Sequence, residues 1–126
     1  MTLVLDAGAF VAVERRDRTV MALLKAELLA GRTPVTHGGV VGQVWRGGSG
    51  RQAPIAQLLD GVEVEPLDDG LGRRAGVLLK LTGGRDVTDA AVILLARDGD
   101  LVLTSDPGDL TTLAAEADIH LDLATV

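Results

Sequence analysis

The sequence predicts an α/β fold in which helices cover both faces of a mostly parallel central sheet, a three-layer α/β/α sandwich. Short apolar runs that end in turn residues alternate along the chain with stretches of helical periodicity. Strands separated in this way by helices form parallel sheets buried on both sides. The chain has 126 residues, the size of an ordinary domain, and is read as a single domain over 1–126. It contains no internal repeat and no low-complexity tail.

The elements follow in order. Thr2 to Leu5 is an apolar run ended by Asp6 and Gly8, a buried strand that feeds a turn and a helix beginning near Gly8. Val20, Leu23, Leu24 and Leu28 keep helical spacing as far as Leu29, and Gly31 follows where helices end. Pro34 to His37 is a brief second strand. Val40, Val41, Val44 and Trp45 then form one apolar helical stripe, broken by Gly47-Gly48-Ser49-Gly50. Ile55, Leu58 and Leu59 mark another short helix before the alternating strand Val62 to Glu65. Leu71 to Leu81 is a helix stopped by Gly83-Gly84, and Thr88 to Arg97 is the next. Leu101 to Leu103 is a strand, and Pro107 takes the first position of the helix that runs through Leu110 to Glu116. Ile119 to Leu123 is expected to be the last strand.

Composition narrows the functional classes. There is no cysteine, which excludes disulfides, thiolate metal sites and a cysteine nucleophile. No apolar run approaches the ~18 residues of a membrane span, and no basic region precedes the first apolar stretch, so a cytoplasmic protein without membrane contact is expected. The net charge of -6 argues against nucleic-acid binding by bulk charge, leaving local or metal-bridged contact. With Phe10 and Trp45 as the only aromatic residues, base stacking on a platform of aromatic side chains, as in many single-strand binders, is not available, which removes one common class of RNA-binding module.

Open parallel sheets bind ligands outside the carboxyl ends of their strands. Asp6 follows the first strand, Asp106 follows the Leu101 to Leu103 strand, and Asp89 lies in the first turn of the helix before that strand. If the first and fourth strands are neighbours, these acids converge and repel one another unless a cation neutralises them. Oxygen donors without His or Cys suit Mg²⁺ or Mn²⁺, ions that activate water and clamp phosphate oxygens. The same spacings also suit helix caps. Asp106 precedes Pro107-Gly108-Asp109, Asp86 stands three residues before Asp89, and Asp6 precedes the first helix.

Four segments, Leu3-Val4-Leu5-Asp6-Ala7-Gly8-Ala9, Val40-Val41-Gly42-Gln43-Val44-Trp45-Arg46, Val87-Thr88-Asp89-Ala90 and Leu103-Thr104-Ser105-Asp106-Pro107-Gly108-Asp109-Leu110, resemble in order and spacing the motifs of the PIN-domain nucleases. Within that family the chain is similar to VapC-type toxins of bacterial type II toxin-antitoxin modules, over nearly its whole length. The resemblance implies a PIN-like fold and a metal-dependent endoribonuclease that hydrolyses RNA. It also implies a homodimer and neutralisation by a cognate antitoxin whose tail reaches the acidic crevice. Asp6, Asp89 and Asp106 would hold Mg²⁺ or Mn²⁺, with Asp109 as a supporting acid and Thr104 and Ser105 as the polar pair that orients the site. Gln43 stands where the family has a glutamate. Its carboxamide can coordinate through oxygen but brings no charge, which lowers metal affinity, disfavours a second ion and attenuates activity.

Other candidates carry less. His37 as a general base is not needed by a metal route and reads as a turn or surface residue, and His120 has still less claim. Arg46 and Arg51 flank the glycine loop, where they can contact RNA phosphates or simply be solvated. Arg73, Arg74, Lys80 and Arg85 suit an exposed helix face. A receiver domain shares the α/β order, but only one acid follows the first strand and no lysine follows the last. The stronger alternative is a catalytically inactive PIN-like module that only binds antitoxin or RNA, a reading that Gln43 favours.

Overall fold

The computed structural model describes residues 1–126. Strand β1 (Leu3–Leu5) leads to α1 (Ala7–Glu14) and α2 (Arg18–Leu29). Then come β2 (Val35–His37), α3 (Gly38–Val44), a 3₁₀ turn at Gly50–Gln52, α4 (Ala53–Leu59) and β3 (Glu63–Glu65). The second half comprises α5 (Asp69–Thr82), α6 (Val87–Leu95), β4 (Leu101–Thr104), α7 (Pro107–Glu116) and β5 (Asp122–Thr125). The sheet is parallel throughout, in the order β3-β2-β1-β4-β5. This is the expected α/β/α sandwich of the PIN-like type. Helices α2, α3 and α4 gather around α1, whereas α5, α6 and α7 contact one another.

Strand β1 is central, and its three side chains are essentially inaccessible, which is why it reads as an unbroken apolar run rather than as an alternation. Phe10 on α1 and Val92 and Ile93 on α6 are fully buried and belong to the same core as the β1 and β4 side chains. At one edge β3 is short and carries the charged Glu63 and Glu65, features that discourage further strand pairing. β1 pairs with β4 in the register Leu3 to Leu101, Val4 to Val102 and Leu5 to Leu103. The chain order reverses between these two strands, and their carboxyl ends define the crevice where an open α/β sheet places its ligand.

Two expectations are corrected. The last strand is Asp122–Thr125, not Ile119 to Leu123. Residues before it are drawn into the β4 entry turn, where Gly99 N–H donates to the His120 carbonyl at 2.7 Å, and pairing begins only at Asp122, opposite Leu101. Trp45 is not part of the buried stripe of α3. That helix ends at Val44, Trp45 has extended backbone angles, and its side chain is 39% exposed. Val40 and Val44 alone anchor the helix to the core.

Candidate functional site

The site grows from the ends of β1 and β4. Asp6 continues the β1–β4 ladder by donating its N–H to the Leu103 carbonyl at 3.1 Å, which fixes its backbone at the sheet's edge. Its buried carboxylate accepts from Ala7 N–H at 2.7 Å through Oδ1 and from the Thr104 hydroxyl at 2.9 Å through Oδ2. The same Thr104 oxygen accepts from Asp106 N–H at 3.0 Å. Thr104, fully buried, thus ties Asp6 to the segment that carries Asp106. Ser105 is exposed beside them. Its backbone nitrogen would lie 2.7 Å from any Cβ at position 8, so Gly8 is what allows α1 to start this close to the β4 turn. Gly8→Ala is expected to push the two segments apart and cost about 1–3 kcal/mol, measured by urea unfolding.

The capping readings divide. Asp6 caps Ala7, and Asp86 caps α6 by accepting from Asp89 N–H at 3.0 Å. Asp106 holds the cap position of α7, yet its side chain makes no capping bond and is exposed. Asp109, in the first turn of α7, is exposed as well. Asp89 is half-buried in the first turn of α6 and lines, with Asp86, Asp109 and Arg85, a cleft of about 250 Å³. Burial first, and then the charges of Asp86, Asp6, Asp106 and Asp109, push its pKa up to about 7. All these carboxylates therefore act on one proton. None is in an ion pair, since the molecule's four ion pairs involve Glu27, Glu14, Asp69 and Asp118. Larger clefts of about 530 and 720 Å³ lie elsewhere. The first of these also gathers acids, Glu63, Glu65, Asp68 and Asp100, with Arg74 and Arg97, so neither volume nor net charge singles out the smaller one; what distinguishes it is the raised Asp89, which it holds together with Asp109 at the first turns of α6 and α7.

No three acids are gathered into a finished ligand shell. The donor set nevertheless suits a hard divalent cation, being made of oxygens with uncompensated negative charge. Asp6 is held by its two hydrogen bonds, whereas Asp106 and Asp109 are exposed.

Gln43 is exposed on α3 and carries no charge to this edge. His37, expected at a turn or surface, is fully buried. Its Nδ1 accepts from Gly39 N–H at 3.0 Å, and Nε2 donates to the Thr88 carbonyl at 3.0 Å, which joins the start of α3 to the turn before Asp89. Burial pushes its pKa down, so the neutral Nε2–H form suits both bonds. Both nitrogens are occupied, and the residue is a strut rather than a base. Gln52 was not foreseen either. It accepts from Arg46 N–H at 2.6 Å and Gly48 N–H at 3.2 Å and donates to the Val44 carbonyl at 2.6 Å, closing the glycine loop on the end of α3.

An acidic crevice at the switch point of a parallel PIN-like sheet is thus the arrangement that the fold and the side chains define. Among solved structures, the chain is similar to VapBC2 from Rickettsia felis, solved bound to a DNA fragment from their promoter. The TM-score is 0.71 at 12% identity, over 98% of this chain and 99% of that one. At this identity the likeness is one of fold. No protein-family model and no curated protein matches the sequence. No helix is long and apolar enough to cross a membrane.

Proposed function

We propose that the chain is a toxin of the VapC type, an endoribonuclease dependent on Mg²⁺ or Mn²⁺. The observation that carries the reading is the set Asp6, Asp89, Asp106 and Asp109, none of them in an ion pair, in which burial first, and then the charges of Asp86, Asp6, Asp106 and Asp109, raise Asp89 to about 7. Asp6, Asp89 and Asp106 would hold the ion, with Asp109 in support. A bound divalent ion would supply a water of lowered pKa and charge neutralisation at the phosphoryl oxygens. Thr104 fixes the Asp6 carboxylate through its hydroxyl and the Asp106 backbone through its oxygen. His37 fixes the α6 turn that carries Asp89. In the reaction a P–O bond to the water oxygen forms, the bond to the departing ribose oxygen breaks, and that oxygen takes up a proton. Regulation by a cognate antitoxin, with the fold likeness to VapBC2 in support, and assembly as a homodimer belong to the same reading.

A second reading, a PIN-like module that binds RNA or antitoxin without cutting, is favoured by Gln43 and by the lack of a closed group of three acids. Cleavage of RNA by the chain and its Gln43→Glu variant, each with Mn²⁺, Mg²⁺ or EDTA, separates the two. The nuclease predicts metal-dependent cleavage that rises about tenfold or more with the added carboxylate. Absence of cleavage in both supports the binding module.

A further inference from the structure

The loop after α3 has features that the acidic crevice does not use. Trp45 is the chain's only tryptophan, 39% exposed although it follows the buried Val44. Its ring lies over Gly48, which has φ +72, and a Cβ there would fall 2.1 Å from the indole. Gln52 fixes the surrounding backbone through three bonds to Arg46, Gly48 and Val44. The indole is thus held at the surface by a built turn rather than left in a slack one. Two guanidinium groups flank it in sequence. Arg46 is exposed and anchored by the Gly42 and Trp45 carbonyls at 3.2 and 2.7 Å. Arg51 is 87% exposed and touches Glu14 only at 3.4 Å.

From these observations we infer that Trp45 is a stacking shelf for one nucleobase of a single-stranded RNA, with Arg46 and Arg51 receiving the adjoining phosphates. The inference rests on the nuclease reading for its choice of RNA, and it adds a binding subsite to that reading. A pre-ordered indole loses little conformational freedom when a base covers it, and paired guanidinium groups supply the local positive charge that a chain of net charge -6 lacks overall. It also assigns Gly48 a purpose, because a side chain at position 48 would displace the ring. A single stacked base gives a preference at one nucleotide rather than a read sequence.

Being unique, Trp45 reports on itself by fluorescence. An uncleavable 2′-O-methyl oligoribonucleotide of about twelve nucleotides should quench its emission saturably. Trp45→Ala should weaken binding of a dye-labelled copy about 5- to 150-fold with an unchanged thermal midpoint, and Trp45→Phe should restore most of it. Arg51→Gln should lower the slope of log affinity against log salt by about 0.7, the single-strand value for one phosphate contact. Unaltered emission, or unaltered affinity in both Trp45→Ala and Arg51→Gln, overturns the inference. So does a Trp45→Ala protein that keeps its RNA affinity but loses a protein partner. Should the chain bind and quench but never cut, the nuclease reading fails while the shelf stands. Should it cut with Trp45→Ala equal to the parent, the shelf alone fails.

Discussion

Asp106→Asn is expected to lower metal-dependent RNA cleavage by at least about 10²-fold while leaving the thermal midpoint within a degree or two of the parent. The activity loss follows from removing one of three charges that would hold the ion, a change worth several kcal/mol at the transition state. The unchanged stability follows from the side chain's freedom, because it is exposed and makes no capping bond to α7. Asp6→Ala provides the contrast. It strips the acceptor from Ala7 N–H and from the buried Thr104 hydroxyl, so it should lose about 1–3 kcal/mol of stability as well as activity. Cleavage rates and melting curves on both variants check the pair. If Asp106→Asn cut RNA at the parental rate, the carboxylate would have no part in the chemistry.

The second large effect is on stability against pH. Asp89 titrates near 7 in the folded chain against an ordinary value of 3.8, so from about pH 4 to about 7 the folded state holds a proton that the unfolded state has released. The contribution is therefore full below about 4, fades as the pH rises and is gone above about 7. Asp89→Asn never carries the charge, so its melting point should gain on the parent's across that window and hold a constant lead above it. Half-exposure reduces the raw linkage through solvent screening, and a lead of roughly 1–2 kcal/mol, or a few degrees, is expected. Mn²⁺ at pH 8 should narrow that lead by stabilising the parent more than the variant. A lead that is flat from pH 4 to 8 would mean that neither burial nor the neighbouring acids raise Asp89.

Much of this was legible because the local signals and the global fold agree. Leu3 to Leu5 and Leu101 to Leu103 are apolar runs ended by turn residues, and each proved a buried strand with an aspartate just beyond. The two strands are neighbours, and Thr104 ties Asp6 to the segment that carries Asp106. What spacing could not decide was what each acid does. Asp-Pro-Gly-Asp fits a cap and a ligand set equally well, and only the backbone of Asp106, φ −133 and ψ 77, with no capping bond, sets the side-chain cap aside. Trp45 misled because an apolar stripe does not reveal where its helix stops. His37 and Gln52 carry no local signature, since their partners, Thr88 and the glycine loop, are chosen by the tertiary fold. The final strand was displaced for a similar reason: β4 sets the register, and the apolar residues before it serve as a connection.

The position of β1 between β2 and β4 also governs when the crevice can exist. β1 leaves the ribosome well before its partner on one side, β4, which begins at Leu101. At usual elongation rates that partner arrives on the order of five to twenty seconds later. Until then Asp6 has no Thr104 beside it, and the apolar residues of β1 have one face of pairing open. On the nuclease reading, a nascent polypeptide of this topology is harmless to nearby transcripts until β4 has emerged, and during that interval the open edge of β1 is exposed to association with its neighbours.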